Sequence, residues 1–440
     1  MADLRRGPTP SGRGGRRDQA DQPGVPARRA ALKLLDAVLR QGLPLEAALS
    51  RATAGIDRAD DRALAHAIAA ETLRHLPDLD ALIDSATRQN LPDDAKALFA
   101  LRIALVQALA LGTPPHAAIS TVLPLVEGGP RKLVHGVFGT LMRGDASLPD
   151  PPTLPAAVAM RWREAWGDAV VEAAARAIAV PPPLDLTLAD PGKTDALVEA
   201  VGGTSLMPGH VRLDPTAVTE LPGFEAGDWW VQDLAASLPA RLIGAGTGAA
   251  SGRALDLCAA PGGKTMQLAS AGWHVTAVDA SQSRLARLSD NLARTHLSAE
   301  VIAADLLTWR PTAPADAVLL DAPCSATGIF RRHPDVIHRV FPAQIAEMAA
   351  LQARLLARAA DWVVPGGVFV YATCSLERAE GEAQIRAFLA DRADFALDPV
   401  RPDELPAGVA PDSEGCVRTL PGMIEPGGGD GFFIARLRRR

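Results

Sequence analysis

Ala254-Leu255-Asp256-Leu257-Cys258-Ala259-Ala260-Pro261-Gly262-Gly263-Lys264-Thr265 is the stretch that decides the fold of this 440-residue chain. A short apolar run enters a turn with two adjacent glycines and continues into residues suited to a helix start, the pattern of strand, turn and helix. Gly262 and Gly263 let the backbone come close to a ligand at a helix N-terminus, where unpaired N–H groups point outward. The alternation then repeats downstream. HVTAVDA (274–280), AEVIAAD (299–305), ADAVLLDAP (315–323), GVFVYATC (367–374) and GFFIARL (431–437) read as strands, with helical stretches between them. Such alternation predicts an α/β domain with a doubly wound, mostly parallel sheet over residues 241–440, which binds ligands beyond the C-terminal ends of its strands.

Upstream the periodicity changes. Ala31, Leu34, Leu35, Val38 and Leu39 share one face of a helix, and similar stripes run through 60–75, 92–111 and 114–126. Residues 27–148 therefore read as an all-α domain of six or seven helices. Residues 149–240 read as a small α+β connector: a helix around 161–179, Pro181-Pro182-Pro183, short strands DLTLAD and HVRLD, then GDWWVQD at 227–233. Residues 244–252 (GAGTGAASG) suit an exposed flexible loop. Residues 1–26, rich in Gly, Pro and Arg without periodicity, suit a disordered tail.

The formal charge of −6 does not advertise nucleic acid, although a local basic face on an acidic protein can still bind phosphate. No apolar run approaches the roughly 20 residues of a membrane span, and the N-terminus lacks the apolar core of a secretory signal. A cytoplasmic chain that does not engage a membrane is expected. The cysteines, Cys258, Cys324, Cys374 and Cys416, show no CxxC spacing and no accompanying histidine cluster, so free thiols and no metal are expected.

Asp279 ends the second strand of the series, where a carboxylate suits the hydroxyls of a ribose, and Asp305 ends the third, where it could meet a base. The dinucleotide fingerprint GxGxxG is absent. A phosphate-binding GxxxxGK[ST] loop fails because position 258 is Cys. The two remaining motifs each hold a cysteine: Asp321-Ala322-Pro323-Cys324-Ser325-Ala326-Thr327-Gly328 after the fourth strand and Thr373-Cys374-Ser375 after the fifth. A lone cysteine is ordinarily a small buried hydrophobe, as expected for Cys258 and Cys416. Two thiols at the active edge of neighbouring strands, one beside an aspartate, are not.

DLCAAPGGKT, VDAS, DAPCSATG and YATCS together resemble the cytosine-C5 RNA methyltransferases of the Nol/Nop/Sun class, and the helical domain is similar to the NusB fold. WWVQDLAASL, GIFRRHPDV and GDGFFIARL match as well. The resemblance implies a Rossmann-like class I S-adenosylmethionine-dependent methyltransferase domain behind a NusB-like RNA-binding domain and a small connector. It implies a cofactor site at Cys258, Ala259, Ala260, Pro261, Gly262, Gly263, Lys264, Asp279, Asp305 and Asp321, with S-adenosylhomocysteine as product. It further implies Cys374 as nucleophile and Cys324 as the thiol that assists product release. A thiolate adding to carbon 6 of cytosine makes carbon 5 enamine-like and able to accept the methyl, with protonation or hydrogen bonding at N3 assisting, a role for Asp321 if protonated or water-bridged. Small-subunit ribosomal RNA is the implied substrate and a monomer the implied state, with transfer RNA or a non-catalytic RNA-binding role as alternatives. A DNA methyltransferase would leave Cys374 and the helical domain without purpose. Arg331, Arg332 and His333 stand near where RNA phosphate would pass, or on a solvated loop. The chain departs from the family at Val134-His135-Gly136-Val137-Phe138, where a VNAVLR-like stretch is usual, and at Ala189-Asp190-Pro191, where an RVN-like strand end is usual.

Overall fold

The computed structural model describes residues 22–246 and 252–440. Residues 1–21 of the expected tail and 247–251 of the expected loop lie outside them. The first helix already begins at Val25, inside the span expected as tail, because Pro26 fits the first helical turn, where its missing N–H is not needed.

Between Val25 and Arg143 the described chain is helical, with seven α-helices and no strand. Ala31, Leu34, Leu35 and Val38 on the first helix are fully buried against Leu101, Leu105 and Val106 of the helix Lys96–Leu109, which is buried on nearly every side and forms the centre of the bundle. In the departing stretch of the last helix, Gly128–Arg143, Val134, Val137 and Phe138 still face this core. The change of sequence there spares the packing.

The connector differs from expectation in one respect. The helix expected around 161–179 is two helices, Ala156–Trp166 and Asp168–Ala179. Gly167, at φ 84° and ψ 172°, breaks them, a backbone conformation that favours glycine. The break lets Trp162 reach Phe330, with ring centroids 5.2 Å apart, while Trp166 Nε1 donates to the carbonyl of Leu376 at 2.8 Å. Three antiparallel strands follow, β1 (Leu184–Leu188), β2 (His210–Leu213) and β3 (Trp229–Val231), in the order β2-β1-β3. Asp185 on β1, fully buried, takes a bidentate pair from Arg212 at 2.7 and 2.8 Å and a bond from the backbone N–H of Leu234 at 3.0 Å. It thereby fixes the connector to the helix Leu234–Arg241, and burial is offset because every charge finds a partner.

The C-terminal sheet contains β4 (Arg253–Leu257), β5 (His274–Asp279), β6 (Glu300–Ala303), β7 (Ala315–Asp321), β8 (Val363–Thr373), β9 (Phe395–Leu397), β10 (Val417–Thr419) and β11 (Phe432–Arg439). Its order is β10-β11-β8-β7-β4-β5-β6, with β9 also paired to β11. Strands β6, β5, β4, β7 and β8 run parallel, and β11 enters antiparallel beside β8. The chain order reverses between β4 and β7, so the crevice outside their C-terminal ends is the place where such a sheet binds ligands.

The helical domain is tied directly to the segment that follows the first cysteine loop. Arg74 donates to the carbonyl of Ile178 at 2.7 Å and of Arg331 at 2.9 Å, and His338 Nε2 stands 2.6 Å from the carbonyl of Leu73. Burial holds the His338 imidazole down at about 4, against an ordinary 6.5, so the folded protein keeps it neutral. The unfolded chain binds this proton between pH 6.5 and 4 and the folded one does not; stability present above pH 6.5 is therefore lost as pH falls through that window. His338→Gln, which can still donate to Leu73, should show a shallower acid loss there in denaturant titrations. A loss as steep as wild type would contradict the assignment.

Candidate active site

The glycine turn folds as its sequence suggests. Cys258 takes a positive φ of 63° and Gly262 one of 106°, after which the helix Gly263–Ser270 begins. The helix N-terminus faces a cavity of about 530 Å³, within the roughly 300–1,000 Å³ of small-molecule sites. Ala259, Ala260, Pro261, Gly263, Lys264 and Asp321 line one side of it; Trp230, Gln232 and Asp233 from the connector line another.

Asp256 lies on the cavity wall, fully buried. Its Oδ2 accepts from Thr265 Oγ1 at 2.5 Å, and its Oδ1 has no partner among the described residues. Burial raises this carboxyl to about 7. A buried oxygen left unpaired beside a cavity is a position for a ligand donor.

The sequence-derived acids are placed unequally. Asp321 lines the cavity and accepts from Lys264 Nζ at 2.7 Å, while that ammonium also sits 5.3 Å from the ring centroid of Phe432. Burial pulls the Lys264 ammonium down, but Asp321, Asp256 and Cys374 together outweigh it and the net shift is upward. Lys264 is thus a fixed cation between the cavity and the thiols. Asp279 is buried below the turn: Oδ2 accepts from the N–H of Ala260 at 3.2 Å, Oδ1 accepts from the N–H of Ser281 at 2.8 Å, and Arg284 lies 3.3 Å away. It braces the turn, and any ribose must share oxygens already in use. Asp305 stands two residues past the end of β6, exposed, with Oδ1 accepting from the N–H of Leu307 at 2.9 Å, and is not on the cavity wall.

The two cysteines meet. Parallel pairing of β7 with β8 ends at Asp321 opposite Ala372, and the chains leaving those ends bring Cys324 Sγ and Cys374 Sγ to 3.4 Å. Both cysteine residues are half-buried. The Cys324 thiol is pushed well above its ordinary range, first by its hydrogen bond to Cys374 and then by burial, so it keeps its proton. Cys416 is buried, and burial pushes it up to about 12, as suits a small core residue.

Arg331 and Arg332 are neither a solvated loop nor free for phosphate. Arg331 is buried and pairs with Asp233 at 3.2 Å and Asp430 at 3.4 Å; Arg332 pairs with the same two acids at 2.6 and 3.2 Å. Two cations and two anions on three separate segments compensate one another, which sequence spacing does not reveal. Arg332 and His333 still reach the cavity wall. Sequence reading also missed Glu380, fully buried beneath both cysteine loops and accepting from Ser325 and Ser375. The only signal for it is that each cysteine is followed by a serine.

Fold and site together define a methyltransferase, a Rossmann-like catalytic sheet behind a NusB-like helical domain. Residues 249–438 match the family described as 16S rRNA methyltransferase RsmB/F, and residues 25–138 match the NusB family. Ribosomal RNA small subunit methyltransferase B of Xylella fastidiosa is 36% identical over 436 residues, covering 94% of this chain and 98% of that protein. The protein of the same name in Xanthomonas campestris is 36% identical over 398 residues, covering 86% and 90%. The crystal structure of PH0851 shares the fold, with a TM-score of 0.71 at 23% identity over 94% of this chain and 99% of that one. A methyltransferase homolog from Pyrococcus horikoshii matches with a TM-score of 0.54 at 25% identity, over 69% of this chain and 98% of that one. The chain belongs to the RsmB/F family of 16S rRNA methyltransferases.

The cysteine loops depend on one close backbone approach. Gly328 N–H donates to the carbonyl of Cys374 at 3.0 Å, and a Cβ on Gly328 would stand 1.9 Å from the carbonyl oxygen of Gly431. Gly328→Ala should therefore cost about 1–3 kcal/mol of stability, read from the denaturation midpoint. An unchanged midpoint would mean the loop is free to move.

Proposed function

We propose that this methyltransferase acts on carbon 5 of a cytosine in 16S ribosomal RNA, with Cys374 as covalent nucleophile and Cys324 as the thiol that assists release. The observation that carries the reading is the 3.4 Å contact between the two thiols at the ends of β7 and β8, beside the Lys264–Asp321 pair. Membership of a 16S rRNA methyltransferase family supplies the substrate class.

The cavity fits S-adenosylmethionine: a helix N-terminus behind a glycine turn and the unpaired Asp256 oxygen would hold it, with Ala259, Ala260, Pro261, Gly263, Lys264 and Asp321 on the wall, and Cys258, Gly262 and Asp279 behind them shaping and bracing the turn. Bound there, it supplies a methyl group on a sulfonium, electrophilic enough for an activated carbon 5. Cytosine in folded RNA must be splayed out of its stack to enter. Cys374 Sγ, having given up its proton to solvent, then adds to carbon 6, while N3, where addition places negative charge, takes a proton from a water held by Asp321 or from Asp321 in its protonated form. A neutral thiol is a poor nucleophile, so one sulfur of the touching pair gives up its proton to attack while the other keeps its own. After carbon 5 has taken the methyl, a solvent base removes its proton, the electron pair restores the carbon 5–carbon 6 double bond and Cys374 leaves as the thiolate, to which Cys324 in contact donates a hydrogen bond.

Cys374→Ala should abolish methylation, a fall of about 10³-fold or more. Cys324→Ala, incubated with S-adenosylmethionine and unmodified small-subunit RNA, should give a nuclease-sensitive, slow-migrating adduct on a denaturing gel, absent from the double variant. No adduct while wild type methylates that RNA would refute the division of roles. Methylation of transfer RNA alone would reassign the substrate. By calorimetry, Asp279→Ala should weaken S-adenosylmethionine binding about tenfold or more, for a lost charge-assisted contact; an unchanged dissociation constant would remove Asp279 from the site.

A further inference from the structure

Glu380 is fully buried among residues that the methyl-transfer chemistry does not use directly. Its Oε1 accepts from the backbone N–H of Ser325 at 2.9 Å and from Gln352 Nε2 at 3.2 Å. Its Oε2 accepts from Ser325 Oγ at 2.5 Å and from Ser375 Oγ. The two serines are themselves 3.1 Å apart, and each directly follows one of the paired cysteines. Gln352 also donates to the carbonyl of Pro323 at 2.9 Å, on the other side of Cys324. Glu380 is held in turn by its own carbonyl, which accepts from Tyr371 Oη at 2.8 Å. One carboxylate thus grips both cysteine loops from below, and among the described residues no cation is bonded to it. An unpaired buried charge is costly unless its hydrogen bonds are complete, so so specific a set of four donors is a constraint on geometry rather than a cheap core filler.

The grip is unequal. Cys374 follows β8 without interruption, and its carbonyl accepts from Gly328 N–H, so the strand already positions it. Cys324 lies three residues beyond the end of β7, and Ser325 gives Glu380 both its N–H and its hydroxyl. We infer that Glu380 is a positioning residue that holds Cys324 against Cys374, and that its loss slows release of the methylated RNA more than formation of the covalent adduct. The inference rests on the roles proposed above for the two cysteines. The negative charge of Glu380 also adds to the forces that keep the Cys324 proton in place, after the Cys374 hydrogen bond and burial.

The test is a single-turnover measurement on the full chain with S-adenosylmethionine and small-subunit RNA transcribed in vitro, following adduct formation and decay on denaturing gels. Glu380→Gln turns one accepting oxygen into a donor facing donors. It should leave adduct formation within about threefold of wild type and slow adduct decay about tenfold, the scale of a lost hydrogen bond to a charged group. Its affinity for S-adenosylmethionine should be unchanged, which a general loss of folding would not allow. Should that variant fail to fold, Ser325→Ala removes only the hydroxyl grip and should slow decay by a smaller factor. Decay at the wild-type rate in whichever variants fold, while Cys324→Ala accumulates adduct, would overturn the inference alone. Absence of adduct from Cys324→Ala would instead sink the reading of the cysteines, and the inference with it.

Discussion

Parallel pairing of β7 with β8 is the constraint on which the site depends. Because Asp321 stands opposite Ala372 at the end of the ladder, the chains leaving the two strands emerge side by side, and both cysteine loops must turn over the same patch of sheet edge. Backbone groups leaving a sheet lose their ladder partners and need others. Here they find them in one another: Ala322 N–H donates to the carbonyl of Ala372 at 2.9 Å, Gly328 N–H to that of Cys374 at 3.0 Å, and Leu376 N–H to Thr327 Oγ1 at 3.0 Å. Glu380 completes the set from beneath. The 3.4 Å contact of the sulfurs is a consequence of this closure.

The other parts of the molecule serve that edge. β4 carries the glycine turn to the cavity, and Lys264 from the following helix crosses to Asp321 at the end of β7, joining the turn to the cysteine loops. The connector closes the cavity from above with Trp230, Gln232 and Asp233, and Asp233 caps the helix Leu234–Arg241 while pairing with Arg331 and Arg332. The connector helices clamp the segment after Cys374: Trp162 and Arg161 bond Glu377 at 3.2 and 3.0 Å. The helical domain reaches the same region through Arg74 and Leu73. A NusB-like domain is therefore braced, through hydrogen bonds from side chains to backbone carbonyls, on the loop that follows Cys324.

Much of this was legible in the sequence, for physical reasons that differ by element. The parallel strands β4, β5, β7 and β8 are apolar runs leading into Asp or Cys, and burial on both faces makes such runs conspicuous; these four, the edge strand β6 and the antiparallel β11 lie where the residues indicated. β9 and β10, of three residues each, carry too little pattern to stand out. The break at Gly167 was hidden because the apolar periodicity continues across it, and only the left-handed backbone reveals the bend. The meeting of Cys324 and Cys374 followed from strand adjacency. The burial of Arg331 and Arg332 did not, since Asp233 and Asp430, their partners, lie far away in the chain. Glu380 is one of three buried glutamates within six residues, with Glu377 and Glu382, and composition alone does not separate the one beneath the cysteines from its neighbours.

The central claim, that Cys374 rather than Cys324 bonds to the base, is open to a direct reading with RNA in which cytidine is replaced by 5-fluorocytidine. Fluorine on carbon 5 cannot leave as a proton does, so wild-type enzyme supplied with S-adenosylmethionine should stop at the covalent stage. Proteolysis and mass spectrometry of the adduct should then find the methylated fluorocytidine on the peptide that contains Cys374. Finding it on the peptide that contains Cys324 would contradict the account.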